Sequence, residues 1–300
     1  MRAMTSSRRG VTLVELVVAM TVGGIVLALV AAISARQQRL HADIRERTAL
    51  LEQLRQASNV LPIELRGIAI DAGDLREARD TAVEFRSTIA SAVVCDTISG
   101  GVALAPAAGG DSTFSGFMSS IGAGDTAWAL TPNDSADSWS PITVVGTASA
   151  PAGACGGGGP VLSPAARTRT RTTLRFAASS LSVGVGSVVR VTRLTRYSLY
   201  RGGDGLWYLG AKDWNASANR FNTIQPVSGP YASPSLRGLE FQYFDSAGVA
   251  LTRPVVRPSD VALIRVAVRG QTRGVMRAFS SARGRADDSA IVAIAIRNRR

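Results

Sequence analysis

From Val11 to Ile33 every residue is apolar, glycine, alanine or threonine, with Glu15 the one exception. A run of 23 residues, rising about 1.5 Å each, crosses a hydrocarbon core and predicts a membrane helix. The helical period continues beyond it: Ile33, Leu40, Ile44, Leu51, Leu54 and Leu61 fall on steps of three and four, with Gln37, Arg47 and Ser58 as polar members of the stripe. Arg36, Arg39, Asp43, Arg45, Glu46 and Glu52 take most of the remaining surface, and Pro62 and Gly67 are expected to end or bend the helix. The inner half of such a helix packs on its own domain, leaving the outer half to meet other helices.

Past about residue 80 the period changes to two. Strands are predicted at TAVEFRS, SAVVCD, AWALT, PITVVG, SVVRVTRLTRYSLY, GLWYLG, LRGLEFQYFD, VALIRVAVRG and AIVAIAIRN, with Gly, Ser, Pro and Asn clusters between them. In VALIRVAVRG, Ala262, Ile264, Val266 and Val268 share one face, as in a strand half buried against a helix. Two stretches, Gly100 to Ala123 and Gly146 to Pro164, read as surface loops. The expected fold is α+β, a long N-terminal helix packed on an antiparallel sheet.

Charge is unevenly spread over the 300 residues. Residues 1–164 carry 12 basic and 15 acidic side chains, and residues 165–300 carry 22 and 7, so a net charge of +12 sits entirely in the C-terminal part. Such a field attracts nucleic acid, anionic lipid or acidic partners, although arginines on solvent-facing strand positions produce the same balance. In VVRVTRLTRY, alternation points Arg193 away from Arg190 and Arg196, so the three do not form one phosphate-binding stripe.

Candidate chemistry is sparse. There is no H-E-x-x-H, G-x-S-x-G or phosphate-loop pattern, and the single histidine, His41, lies in the helical stalk. No enzymatic activity, cofactor or metal is expected. CGGGGP reads as a flexible loop, RGGDGLW as a hairpin turn, and Asp287 with Asp288 as a solvated turn. Cys95 and Cys155 have no metal-ligand spacing. Outside the cytoplasm they would form a disulfide, with two unpaired thiols as the alternative that the Cα separation decides.

A carboxylate near the end of a membrane helix costs up to about 3 kcal/mol, so Glu15 calls for a compensating role. Arg2, Arg8 and Arg9 precede the run, which puts the short N-terminus in the cytoplasm and the remainder outside. The sequence RRG followed by VTLVEL resembles the signal of type IV prepilins and type II secretion pseudopilins. The resemblance implies a leader of residues 1–10 cleaved after Gly10 by a prepilin peptidase and Val11 as the methylated mature N-terminus. It also implies that Glu15 is the assembly glutamate, paired with the cationic amine of a neighbouring subunit. Val11 departs from the usual phenylalanine.

RYSLYRGGDGLWYL, PSLRGLEFQYFDSAG and the closing VALIRVAVRG and IAIRNRR are similar to the C-terminal half of larger minor pilins of the PilW type and, more distantly, J-type minor pseudopilins. The implied organisation is leader 1–10, membrane and assembly helix 11–33, helical continuation 34–66 and a β-rich pilin-like domain 67–300. The implied protein is held in the inner membrane with its domain in the periplasm. It assembles with major and minor pilins at or near the tip of a pilus or secretion pseudopilus. A signal-anchored periplasmic binding protein and a pilus-associated DNA-uptake subunit are the alternatives.

Overall fold

The computed structural model describes residues 12–107, 115–131, 138–151, 155, 162, 166–177, 183–276 and 284–296. One helix, α1 (Leu13–Arg66), precedes β1 (Leu75–Ala78), β2 (Ala82–Ile98), β3 (Gly101–Leu104), β4 (Gly116–Phe117), β5 (Thr126–Thr131) and β6 (Ser138–Ala150). There follow β7 (Arg171–Phe176), β8 (Val188–Arg201), β9 (Trp207–Asn215), β10 (Arg220–Phe221) and β11 (Gln225–Tyr231), then β12 (Leu239–Phe244), β13 (Leu263–Gln271) and β14 (Asp287–Ala295). The chain divides into two compact units, residues 1–50 with 272–286 and residues 51–271 with 287–300.

In the larger unit β2 and β8 pair antiparallel from Ala82 opposite Ser198 to Val93 opposite Val188. Both strands change neighbours partway along. At one end β1 flanks β2 and β9 flanks β8; at the other, β3 and β5 take those places. The exchange coincides with a bulge, where Thr88 faces Thr192 but Ala90 faces Val191, leaving Ile89 without an opposite residue. The carbonyl of Ile89 accepts the backbone N–H groups of Met118 at 2.9 Å and Ser119 at 3.2 Å.

Beyond the bulge, the path from β2 runs through β3, β7, β6 and β5 to β8, which pairs with β2 again. Six strands thus close into an antiparallel barrel. Alternate residues fill its interior: Ala90, Ala92 and Val94 of β2, Val102 and Leu104 of β3, Ala127 and Ala129 of β5, Ile142 and Val144 of β6, Leu174 and Phe176 of β7, and Val189 and Val191 of β8. β3 and β7 approach so closely that a Cβ on Gly101 would collide with the Leu174 carbonyl.

This barrel revises the strand and loop assignments. TAVEFRS and SAVVCD are two parts of one continuous strand, β2. The expected loop at 100–123 contains β3 and β4, and the expected loop at 146–164 begins inside β6, which extends to Ala150. β3 and β6 are strands because β7 pairs with both, and β7 itself lay outside the predicted set. Cys95 and Cys155 are disulfide-bonded, with Cα atoms 5.2 Å apart. They sit in a separate apolar cluster with Val93, Ala103, Ala105, Leu162 and Ala166.

At the other end of the β2–β8 pair, Leu54, Ala57, Leu61 and Leu65 of α1 pack on Phe85, Tyr197, Leu209, Phe241 and Ile264. Phe85 and Tyr197 stack with ring centroids 5.8 Å apart. The helix does not stop at Pro62 but runs to Arg66, because Leu61 and Leu65 are both buried in this core. Leu51, a member of the predicted stripe, is 42% exposed, since the contact face of this half follows Leu54, Ala57, Leu61 and Leu65. Polar pins reinforce the packing: the Tyr231 hydroxyl donates to the Gln53 carbonyl at 2.9 Å and shares a hydrogen bond with Ser228, while Ser87 donates to the Glu64 carboxylate.

In the smaller unit, the Gly274 N–H donates to Glu46 Oε2 of α1 at 3.1 Å. The Thr272 hydroxyl donates to the Gly274 carbonyl and accepts the Ala286 N–H, and Met276 bridges to Gly284. Asp43 and Met276 are buried there.

Leu61→Ala removes a fully enclosed side chain from the helix–sheet core and is expected to lower unfolding free energy by about 3 kcal/mol, measured by denaturant titration against wild type. Burial pushes the Tyr231 phenol up to about 12, with the Ser228 hydrogen bond opposing it, and burial also raises Tyr197 and Tyr243. An unfolded tyrosine ionises near about pH 10, so the contribution of Tyr231 to stability is complete below that pH and is lost as pH rises towards 12. Ultraviolet titration should show a late-ionising tyrosine fraction that Tyr231→Phe reduces.

Candidate functional site

The first two-fifths of α1 has no partner among the described residues. Leu13 is 79% exposed and Ile33 57%, and every large hydrophobic residue between them is likewise exposed. This stretch is long and apolar enough to cross a membrane. Hydrocarbon or the helices of neighbouring subunits are the surroundings that such a surface requires. Gly23 and Gly24 have open space where a Cβ would stand, so another helix can approach the backbone there.

Glu15 lies exposed in the first helical turn. The Thr12 hydroxyl accepts the Glu15 N–H at 3.3 Å, and the Thr12 carbonyl accepts the Leu16 N–H at 3.1 Å. Thr12 is therefore the N-cap and Glu15 the third helical residue, the T-x-x-E spacing of a capping box. The carboxylate stands at the end of the helix dipole that favours negative charge. Thr12 was missing from the sequence reading, although T-x-x-E before an apolar run is a legible signal. Gly10 and Val11 lie outside the described residues.

Other candidate chemistry is absorbed by the fold. His41 is exposed on α1, and among the described residues no three His, Cys, Asp or Glu side chains gather as metal ligands. RGGDGLW forms the β8–β9 turn, with Asp204 accepting the Leu206 N–H at 3.1 Å and the Tyr208 hydroxyl at 2.6 Å. Asp287 and Asp288 do not form a solvated turn. They open β14, where Asp287 pairs with Arg269 and Asp288 accepts the Ser289 N–H.

Arg190, Arg193 and Arg196 of β8 each meet carboxylates of their own. Arg190 donates to Asp74 Oδ2 at 2.7 Å, to Thr88 at 2.7 Å and to the Gly67 carbonyl at 3.1 Å. Asp74 is wholly buried and also accepts the Ala69 N–H. Arg193 holds Asp125 through two bonds, at 2.8 and 2.7 Å, and Asp125 in turn accepts the Gly122 N–H at 2.7 Å. The hydrogen bond to Asp125 raises the Arg193 guanidinium further above its ordinary range. Arg196 reaches Glu77 at 3.5 Å and Glu84 at 3.9 Å, and burial together with the facing Glu77 pushes the Glu84 carboxyl up. These guanidiniums are structural cations rather than a phosphate-binding row.

A family model described as the prokaryotic N-terminal methylation motif matches residues 5–31, which include Gly10, Val11 and Glu15. No curated protein and no solved structure matches the chain. The chain carries a prepilin-type signal, which supports a type IV pilin-like or pseudopilin-type protein. The motif implies a prepilin peptidase substrate and assembly with other pilins, and the apolar helix that carries it suggests a single-pass inner-membrane anchor.

Asp125→Ala leaves a half-buried guanidinium without its bidentate acceptor and frees the Gly122 N–H. It is expected to cost about 2–3 kcal/mol of stability. The paired change Asp125→Ala with Arg193→Met should recover part of that loss in a double-mutant cycle, whereas strict additivity would show that the pair is not coupled.

Proposed function

We propose that this protein is a minor pilin or minor pseudopilin that primes assembly and occupies a position at or near the tip of a type IV pilus or secretion pseudopilus. The observation that carries this reading is the uncovered apolar helix with a capped glutamate in its first turn, lying within a prepilin-type signal. The leader is removed on the cytoplasmic side after Gly10, Val11 is methylated, and the globular part stands in the periplasm. The new amine at Val11 pairs with Glu15 of an adjoining subunit. In a helix bundle of low dielectric, either charge alone would be costly, so the pair sets axial register as well as attraction. The role is structural and involves no turnover. The large β-rich domain, in which β2 and β8 serve both a barrel and a helix-backed sheet, favours a specialised subunit over a repeating shaft subunit.

The mature protein should begin at methylated Val11 by intact mass. An intact Met1, or a start near Arg36, would instead support a plain signal anchor or a cleaved secretory signal. Glu15→Ala is expected to leave membrane insertion unchanged and to abolish incorporation into fibres, read by fractionation of membranes and sheared filaments. Normal incorporation of that variant would overturn the role given to the carboxylate.

A further inference from the structure

The smaller unit joins α1, as far as Leu50, to residues 272–286, and its charges are sorted. Between Ser34 and Leu50 the helix carries two acids, Asp43 and Glu46, and four arginines, Arg36, Arg39, Arg45 and Arg47, while residues 272–286 contain no acid. Both acids are taken inward. Asp43 is buried, and Glu46 is half-buried and accepts the Gly274 N–H at 3.1 Å. The four helix arginines are exposed, as are Arg273 and Arg285, and none of these six forms an ion pair among the described residues.

Their place along the helix decides what they meet. By helix rise, Arg36 and Arg39 stand about 5 and 9 Å beyond Ile33, at the depth of lipid headgroups. Arg36, Arg39, Asp43 and Glu46 follow one another at steps of three and four, so both arginines lie on the side of α1 that meets Gly274. Arg273 adjoins that contact, about 20 Å beyond Ile33 by the same rise. A tilt of about 20° towards this side, average for a spanning helix, brings residues 272–286 to within about 8 Å of the headgroup layer, one screening length.

On the orientation proposed above, Arg36, Arg39, Arg45 and Arg47 emerge on the translocated side and outnumber Arg2, Arg8 and Arg9 on the other. Basic residues there oppose the charge bias that orients a span, so they call for a compensating attraction. Nucleic acid or an acidic protein would have to be brought to this face, whereas headgroups adjoin it as soon as the helix is inserted. Guanidinium groups match phosphate in charge and in hydrogen-bond geometry.

We propose that Arg36 and Arg39, with Arg273 and Arg285 farther out on the same side, form a binding face for anionic phospholipid headgroups in the leaflet where α1 emerges. The face holds α1 leaning on the bilayer and selects the lipid around it. This rests on α1 being a membrane anchor, and the test separates the two.

The full chain is reconstituted in phosphatidylcholine vesicles containing phosphatidylglycerol, and spin-labelled lipids report which headgroup is immobilised at the protein. Phosphatidylglycerol should be preferred about three- to fivefold. Arg36→Gln with Arg39→Gln should cut that preference by about half or more, and Arg273→Gln with Arg285→Gln by about a quarter, the remainder belonging to Arg2, Arg8 and Arg9 in the opposite leaflet. Arg220→Gln with Arg257→Gln takes the same charge from the larger unit and should change nothing. An equal fall in that control, an unchanged preference in Arg36→Gln with Arg39→Gln, or no preference in wild type would each overturn the face. So would its abolition at constant ionic strength by inorganic phosphate or by a short DNA oligonucleotide, which would assign the arginines to a soluble anion or to nucleic acid. An unchanged preference in Arg273→Gln with Arg285→Gln would overturn the part given to residues 272–286. Extraction with alkaline carbonate is read separately: release of the chain would overturn the anchor itself, whereas a resistant chain without lipid preference overturns only the headgroup face.

Discussion

The pairing of β2 with β8 is the interaction on which the rest of the larger unit depends. Each strand is longer than one sheet needs, and the surplus is used by exchanging neighbours partway along. One end of the ribbon carries the sheet that receives α1, and the other is two staves of the barrel. The bulge at Ile89 marks the exchange, and two arginines anchor the strands around it. Arg190 ties the ribbon to Asp74, Thr88 and the Gly67 carbonyl, and Arg193 ties it to Asp125. Buried pairs of this kind contribute less net stability than their short distances suggest, but removing either partner strands a charge. They therefore hold one arrangement of the two halves of the ribbon against others.

The two ends of α1 have different surroundings. The apolar N-terminal stretch of α1 has no contacts among the described residues, while Leu54, Ala57, Leu61 and Leu65 are enclosed by aromatic and aliphatic side chains and their segment is pinned by Tyr231 and Ser87. A helix that is naked at one end and enclosed at the other can exchange its surroundings at the naked end without disturbing the fold at the other. That property suits a subunit that moves from lipid to a fibre.

How much of this was legible in the sequence depended on how local the relevant physics was. The membrane helix, the glutamate within it and the alternation of β13 were readable because each is a pattern over a few residues. The barrel was not. A narrow six-stranded barrel has room for small side chains, and Ala90, Ala92, Ala127 and Ala129 give weak strand signals because alanine has little β preference. β3 and β7 are short, and their pairing with each other joins segments about 70 residues apart, which no local window contains. The arginines of β8 were correctly separated by alternation, but their carboxylates lie far away in the chain, so their structural role emerged only with the fold. Of the two helix-ending signals, Pro62 was overridden by the burial of Leu61 and Leu65, and Gly67 follows directly on the last helical residue, Arg66.

The separation of β2 from β8 also constrains how the protein is made. The Arg190–Thr88 hydrogen bond joins residues 102 apart, and the two strands cannot meet until the intervening barrel segments have been synthesised. Contacts of such range slow folding and leave early strands waiting with unpaired edges. During that wait the emerged α1 already tethers the nascent chain to a bilayer. Each half-made molecule is then confined to a surface, where chaperones and partner subunits can find it before it meets the exposed strands of another.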